Sequence, residues 1–228
     1  MTIIAEPRRN ARDEILEHCD RLSDRKLGKL HRARHLAEWT HRKHRRATGD
    51  LYVTHCYGTE QILVTLGFVL NSVMRISALL HDTLEDCGKE DCKRLRKAIL
   101  WRFGLVVYLT VETLTRKPPK DYPSQLFRAI RYWWWIGLWI IAFIKLADLL
   151  FNLSTIEGFD DYLQEMRQYR KADEILRVAI APSVRYIPPW HRRKYTELLS
   201  SVTTLLPAKR QATIARERER DLGYFPAL

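Results

Sequence analysis

The chain has 228 residues and carries 39 lysines and arginines against 27 acidic residues, a formal net charge of +12. This length fits one compact domain with at most a small appendage, and a hydrophobic fraction of 46% excludes global disorder. The excess positive charge indicates a phosphate-bearing partner, which could be a nucleotide, a nucleic acid or an anionic membrane.

Helical periodicity dominates the chain, whereas hairpin turns and period-two alternation are nearly absent. The sequence therefore predicts an all-α fold. Pro118 and Pro119 place a loop at 117–120, because proline interrupts a helix. The predicted helices cover residues 11–23, 27–46, 60–69, 72–84, 92–102, 104–113, 123–153, 159–178 and 191–205.

An apolar run from Tyr132 to Ile144 contains the consecutive residues Trp133, Trp134 and Trp135. It is too short for a membrane-crossing helix, which needs about 20 apolar residues. The run therefore predicts a buried core helix. The alternative is an exposed face for a protein partner, a membrane surface or a dimer, and a homo-oligomer stays possible.

The four cysteines are Cys19, Cys56, Cys87 and Cys92. Their spacing includes no CxxC pair and no zinc-ribbon pattern, and the chain begins without a secretory signal. These features predict free thiols in a reduced, cytoplasmic protein without a transmembrane segment.

The segment 78–86, ALLHDTLED, concentrates four polar groups behind an apolar run. The adjacent His81 and Asp82 offer a nitrogen and an oxygen ligand, which suits Mn²⁺, Fe²⁺ or Zn²⁺. Glu85 and Asp86 follow them at four-residue spacing, on the same helical face, where they could transfer protons. The alternative interpretation is a capped helix end with solvated acids.

Two distant segments strengthen the metal-site interpretation: 41–55, HRKHRRATGDLYVTH, and 144–155, IKLADLLFNLST. In the second segment, Asp148, Asn152 and Thr155 form one polar stripe on an apolar helix. A buried carboxylate is costly unless it is paired or binds a metal. An ion pair between Asp148 and an arginine is the simpler alternative, but it does not account for the whole stripe.

In order and spacing, these three segments resemble the hydrolase domain of the RelA/SpoT family, a branch of the HD-domain metal phosphohydrolases. The family pattern is H-x-G-Q-x-R-K-S-G-E-P-Y-I-x-H, then L-L-H-D-x-x-E-D, then K-x-A-D-R-x-x-N-x-x-T. The resemblance covers roughly residues 30–174. It implies an all-α HD-domain helical bundle that hydrolyses guanosine tetra- or pentaphosphate with Mn²⁺, a metal-activated water attacking the 3′-pyrophosphate.

The resemblance also implies a role for each matching residue. The metal ligands would be His55, His81, Asp82 and Asp148. The catalytic acidic pair would be Glu85 and Asp86. The substrate contacts would come from Arg46, Asn152 and Thr155, and further cations at the mouth from Lys43, Arg45, Arg116 and Lys117.

The chain departs from the family pattern at three positions where the family places a cation, namely Ala47, Leu149 and Ser154. The metal set is complete, so hydrolysis is indicated more strongly than guanosine tetraphosphate in particular. One alternative is therefore an HD phosphohydrolase of another nucleotide, such as a nucleoside phosphate or an NADPH-like dinucleotide.

We expect a basic helical extension at 1–29, the hydrolase domain at 30–206 and a charged tail at 207–228. This length leaves no room for a synthetase or regulatory domain, so we expect a small stand-alone hydrolase. A second alternative, of another class, is a basic nucleic-acid-binding protein on a degenerate HD scaffold. It is not favoured, because such a scaffold should have lost a metal ligand.

Overall fold

Helices make up nearly all of the regular structure in the computed structural model, which describes residues 24–46, 49–85, 87, 89–116, 121–156 and 162–223. Across these residues the only β-type pairing is a single bridge between Arg45 and Leu51. The all-α prediction is thus confirmed. The helices are α1 (Asp24–His41), α2 (Val53–Thr65), α3 (Ser72–Leu80), α4 (Lys89–Phe103), α5 (Leu105–Leu114), α6 (Tyr122–Trp133), α7 (Ile140–Ser154), α8 (Tyr162–Ile175) and α9 (Pro189–Gly223).

Helix α7 forms the centre of the bundle. Its residues from Ile140 to Phe151 are all buried, as expected for a helix that is apolar all round. It packs mainly against α2 and α9. A polar side chain on α7 is therefore enclosed, and it needs hydrogen-bond partners within the protein.

A buried ion-pair network joins the first three helices. Glu60 on α2 is fully buried and binds Arg75 on α3, with nitrogen–oxygen distances of 2.8 Å. Arg34 on α1 reaches the other oxygen of Glu60 at 3.3 Å. This network fixes α2, which carries His55, relative to α3, which ends directly before His81.

The predicted single helix over 123–153 is wrong, because the chain breaks after Trp133. A short 3-10 turn covers Trp134–Ile136, and Gly137 then adopts a left-handed conformation with φ of 97°. Glycine tolerates this conformation, which lets the chain reverse before α7 begins. The core prediction holds from Leu138 onwards, but Trp133, Trp134 and Trp135 are exposed.

The last helix is longer than predicted. Helix α9 continues through Pro207 to Gly223, and Thr213 is buried where its hydroxyl donates to Glu165 on α8 at 2.6 Å. The predicted tail boundary at 206/207 therefore falls inside a continuous helix. The predicted helix at 11–23, the loop at 117–120 and most of the N-terminal extension lie outside the described residues.

The prediction of free thiols is wrong for one pair of cysteines. Cys87 and Cys92 form a disulfide that joins the segment after His81-Asp82 to the first turn of α4. Cys56 is free and buried, and Cys19 lies outside the described residues.

Among the helices that the structure describes, none is both long enough and apolar enough to cross a lipid bilayer.

Candidate metal centre

Two buried histidines face each other between α2 and the end of α3. His55 lies in the first turn of α2, His81 follows α3, and their Nε2 atoms are 3.1 Å apart. The Nδ1 of His81 is 2.8 Å from the carbonyl oxygen of Ala78. A carbonyl only accepts, so Nδ1 donates to it, and Nε2 is the ring nitrogen that faces the cluster.

Two carboxylates complete the cluster around these nitrogens. Asp82 Oδ2 is 3.3 Å from His55 Nε2 and 3.0 Å from His81 Nε2. Asp148 Oδ1, from α7, is 3.1 Å and 3.8 Å from the same two nitrogens. Ligand atoms of His55, His81 and Asp82 all lie within 4.8 Å of one another. This mixed nitrogen and oxygen donor set fits a divalent transition metal such as Mn²⁺ or Zn²⁺.

The electrostatics of the cluster favour a positive charge at its centre. Burial alone would lower the pKa of His81, but Asp82 and Asp148 outweigh this effect and raise it to about 10. Burial alone would raise the pKa of both carboxyls. The two imidazoles hold the pKa of Asp82 well below the usual range, and Lys145 together with the imidazoles does the same for Asp148. The carboxylates stay ionised, and a divalent cation would neutralise them.

Two further side chains orient the carboxylates. The hydroxyl of Tyr52 donates to Asp82 Oδ2 at 2.8 Å, and burial together with Asp82 raises the pKa of Tyr52. The buried ammonium of Lys145 donates to Asp148 Oδ2 at 2.5 Å. Sequence reasoning assigned neither residue a role. The sequence does mark Lys145 as unusual, because it is a single cation three residues before Asp148 on an otherwise apolar helix.

Glu85 lies at the edge of this cluster. Its side chain is exposed, and Oε1 accepts a hydrogen bond from the backbone N–H of Arg116 at 3.1 Å. Partial desolvation and the nearby Asp82 raise its pKa above the ordinary glutamate value. Asp86, the other predicted catalytic carboxylate, lies outside the described residues.

The predicted substrate residues Arg46 and Asn152 are linked directly to the cluster. The guanidinium of Arg46 donates to Asn152 Oδ1 at 3.1 Å, and Asn152 Nδ2 donates to Asp148 Oδ1 at 2.6 Å. The guanidinium also lies 5.1 Å from the centre of the Phe151 ring. A planar cation above an aromatic ring, next to an amide, makes a flat polar wall beside the cluster.

The remaining predicted substrate residues lie farther out. Thr155 Oγ1 donates to the carbonyl of Phe151 at 2.9 Å and ends α7. Arg45 donates to the carbonyl of Gly49 within its own loop, and Lys43 is exposed on that loop. Within the described residues, none of the three makes a hydrogen bond or ion pair to the cluster. Lys117 lies outside them.

A pocket lies beside Arg116, whose backbone N–H binds Glu85. It has a volume of about 130 Å³ and is lined by Arg116, Tyr122, Pro123, Lys171, Glu174 and Ile175. Burial, then the charges of Arg116 and Lys145, lower the pKa of Lys171 to about 8. No sequence motif marks Lys171, which comes from α8.

Comparison with known proteins matches the part of the chain that contains His55, His81 and Asp82. Residues 33–117 match the HD domain family model. A GTP pyrophosphokinase of Streptomyces coelicolor is 31% identical over 176 residues, which are 73% of this chain and 18% of that protein. The bifunctional (p)ppGpp synthase/hydrolase RelA of Mycobacterium tuberculosis is 27% identical over 216 residues, which are 80% of this chain and 26% of that protein. The chain thus spans about a quarter or less of these relatives.

A solved structure shares the fold. It is that of a metazoan ortholog of SpoT reported to hydrolyse ppGpp, and it matches with a TM-score of 0.53 at 18% identity. The match covers 83% of this chain and 95% of the other. The helical bundle that surrounds the cluster therefore has the fold of a solved structure.

Proposed function

Because the chain is a RelA/SpoT-like HD-domain protein, we propose that it is a metal-dependent phosphohydrolase that releases pyrophosphate from the 3′ position of a guanosine polyphosphate. The observation that carries the proposal is the convergence of His55, His81, Asp82 and Asp148. Their ligand atoms come from three separate helical segments and meet within 3.0 to 3.8 Å. A solvated helix end would not bring Asp148 from α7 to this point.

The proposed metal ligands are these four residues, and Mn²⁺ is the proposed ion. When bound, such an ion would supply Lewis acidity and lower the pKa of a coordinated water. Tyr52 and Lys145 would orient the carboxylates of Asp82 and Asp148 through the hydrogen bonds described above. These hydrogen bonds would limit the rotation of both carboxylates beside the ion.

We assign proton transfer to Glu85, with Asp86 as its partner. A raised pKa brings a carboxylate closer to neutral pH, where a general acid or base works best. The hydrogen bond from the backbone of Arg116 holds Glu85 at the rim. From there it could take a proton from the attacking water and return one to the leaving oxygen.

Two regions would bind the substrate. Arg46 and Asn152, with Phe151 below them, form a flat wall suited to a nucleotide base. Arg116 and Lys171, which line the pocket described above, offer cations for phosphate groups. Lys43 and Thr155 are assigned to the outer contacts with the sugar or phosphates.

A second candidate is hydrolysis of a different phosphorylated nucleotide, favoured by the three missing cations. Leu149 is packed in the core, and the hydroxyl of Ser154 donates to the carbonyl of Phe151 at 2.8 Å. Neither residue can supply the charge found at the matching family position. A substrate with fewer phosphates, or with its phosphates placed differently, would suit these positions.

The test is a nucleotide panel incubated with the metal-loaded protein, with pyrophosphate and orthophosphate measured separately. We expect pyrophosphate from guanosine tetraphosphate without added ATP, and a loss of at least about 100-fold in kcat for Asp82→Ala and Glu85→Gln. Asp173→Asn, on the exposed face of α8, is the control and should retain full activity.

Three outcomes would contradict the proposal in different ways. Folded Asp82→Ala protein that keeps the wild-type rate would exclude this site as the active site. Orthophosphate as the only product would exclude a pyrophosphohydrolase and favour the second candidate. Product formation that requires ATP as a donor would indicate synthesis instead of hydrolysis.

A further inference from the structure

An exposed aromatic patch, formed by Tyr132, Trp133, Trp134 and Trp135, lies at the turn between α6 and α7. These four consecutive side chains are exposed to 60%, 50%, 47% and 67%. Large aromatic side chains are normally among the most buried, and a contiguous exposed group of them marks an interaction surface. The proposed hydrolase reaction makes no use of this patch.

The chain segment that contains the patch is basic. From Tyr122 to Ala147 the chain contains no aspartate or glutamate. Arg128 and Arg131 are exposed on α6 just before the patch. The guanidinium of Arg131 lies 5.5 Å from the centre of the Tyr132 ring. The surface therefore combines exposed tryptophan and tyrosine with positive charge.

The backbone turns sharply at the patch. Helix α6 ends at Trp133, the next three residues form the 3-10 turn, and Gly137 reverses the chain. The indole N–H of Trp135 donates to the carbonyl of Tyr132 at 3.2 Å. This hydrogen bond holds the Trp135 ring against the turn. On the other side, Leu105 on α5 adds an exposed apolar side chain beside Val106, which approaches Gly137.

We propose that the aromatic patch docks on the surface of a membrane containing anionic phospholipid. Tryptophan and tyrosine favour the boundary between headgroups and acyl chains, where an apolar ring and a polar N–H or O–H are both satisfied. Arg128 and Arg131 would pair with lipid phosphates next to the inserted rings. The proposed contact is peripheral, through the side chains of the patch.

A second copy of the chain fits the same surface less well. In a symmetric dimer each patch would face its own copy, which would place two surfaces of the same positive charge against each other. An anionic lipid surface neutralises these charges instead.

Asp148 lies eight residues into α7, about 12 Å from the first residue of that helix. Docking at the patch would leave the candidate metal centre uncovered.

The test is co-sedimentation of the full chain with vesicles of phosphatidylcholine alone, and with vesicles that also contain phosphatidylglycerol. We expect at least a tenfold higher bound fraction on the anionic vesicles. The triple variant W133S, W134S, W135S should lose this binding. The control is Trp190→Ser on α9, which is 76% exposed and should bind like the wild type.

Charge and fold are checked separately. R128Q combined with R131Q keeps every aromatic ring, and we expect it to reduce binding to anionic vesicles and to weaken the salt dependence. Thermal unfolding shows whether the triple variant is folded. If it is not, Trp135→Ser alone replaces it, with an expected loss of several-fold in binding.

Two results would overturn the proposal. Equal binding of wild type and a folded patch variant to anionic vesicles would exclude the patch as the contact. A wild-type dimer in light scattering that becomes a monomer in the patch variant, without vesicle binding, would assign the surface to a second copy. Neither result tests the proposed hydrolase activity, because its residues Asp148 and Asn152 lie in the second half of α7, away from the patch.

Discussion

Gly58 on α2 lies directly against the ring of Phe151 on α7. A Cβ atom built on Gly58 would come within 1.9 Å of Phe151 Cε2. The same ring lies below the guanidinium of Arg46, and its centre is 5.5 Å from that of His55. The absence of a side chain at Gly58 therefore sets how closely α2 and α7 approach at the candidate metal centre.

Gly58→Ala should destabilise the protein by about 1–3 kcal/mol, because the ring must move within a packed core. It should also weaken metal binding, since Phe151 packs against His55. Urea unfolding and Mn²⁺ titration would measure the two effects. The control is Gly28→Ala on α1, where the nearest atom to an added Cβ is Arg32 Nη2 at 3.9 Å. An unchanged unfolding midpoint in Gly58→Ala would contradict the tight packing.

Tyr52→Phe should weaken Mn²⁺ binding about tenfold or more, because the hydroxyl that orients Asp82 is lost while the ring stays. Calorimetric titration with MnCl₂ would measure this loss. Tyr57→Phe is the matched control, since it removes a different tyrosine–carboxylate hydrogen bond, 2.5 Å long, to Glu38. Equal metal affinity in both variants would show that Tyr52 does not support the site.

Lys171 should make substrate binding depend on pH near 8. Its pKa of about 8 means that the ammonium is charged below this pH and loses its charge above it. The KM for an anionic substrate should therefore rise as pH increases through 8, while kcat changes little. Lys171→Arg should flatten this rise, because arginine stays charged. A KM profile of Lys171→Met identical to that of the wild type would remove Lys171 from the binding site; Lys93→Met on α4 is the control.

Reduction of the Cys87–Cys92 disulfide should lower the free energy of unfolding by about 2 kcal/mol, the loop-closure entropy expected for so short a loop. Unfolding of the wild type with and without dithiothreitol would measure the change. The double variant C87S, C92S should match the reduced wild type, and it should not respond to the reductant. A wild-type midpoint that dithiothreitol leaves unchanged would contradict a stabilising disulfide.

Local sequence pattern was sufficient for much of the fold, and it made His81, Asp82 and Asp148 candidates for a metal site, whereas the family resemblance added His55. Helical periodicity predicted most of the helices, because each one buries a face that repeats every three or four residues. The pairing of His81 with Asp82, and the stripe of Asp148 and Asn152, are also local features. Their chemistry indicated a metal site before any tertiary contact was known.

Tertiary structure decided which of those groups meet and which side chains face water. His55 and Asp148 are 93 positions apart in the chain, and only the packing of α2 on α7 brings Nε2 and Oδ1 to 3.1 Å. The tryptophans at 133–135 are as apolar as a core segment, yet the left-handed turn at Gly137 leaves them exposed. Lys171 belongs to no motif and approaches the site only because α8 folds back beside Arg116. Composition and periodicity describe single segments, whereas contacts between segments depend on how all the helices pack together.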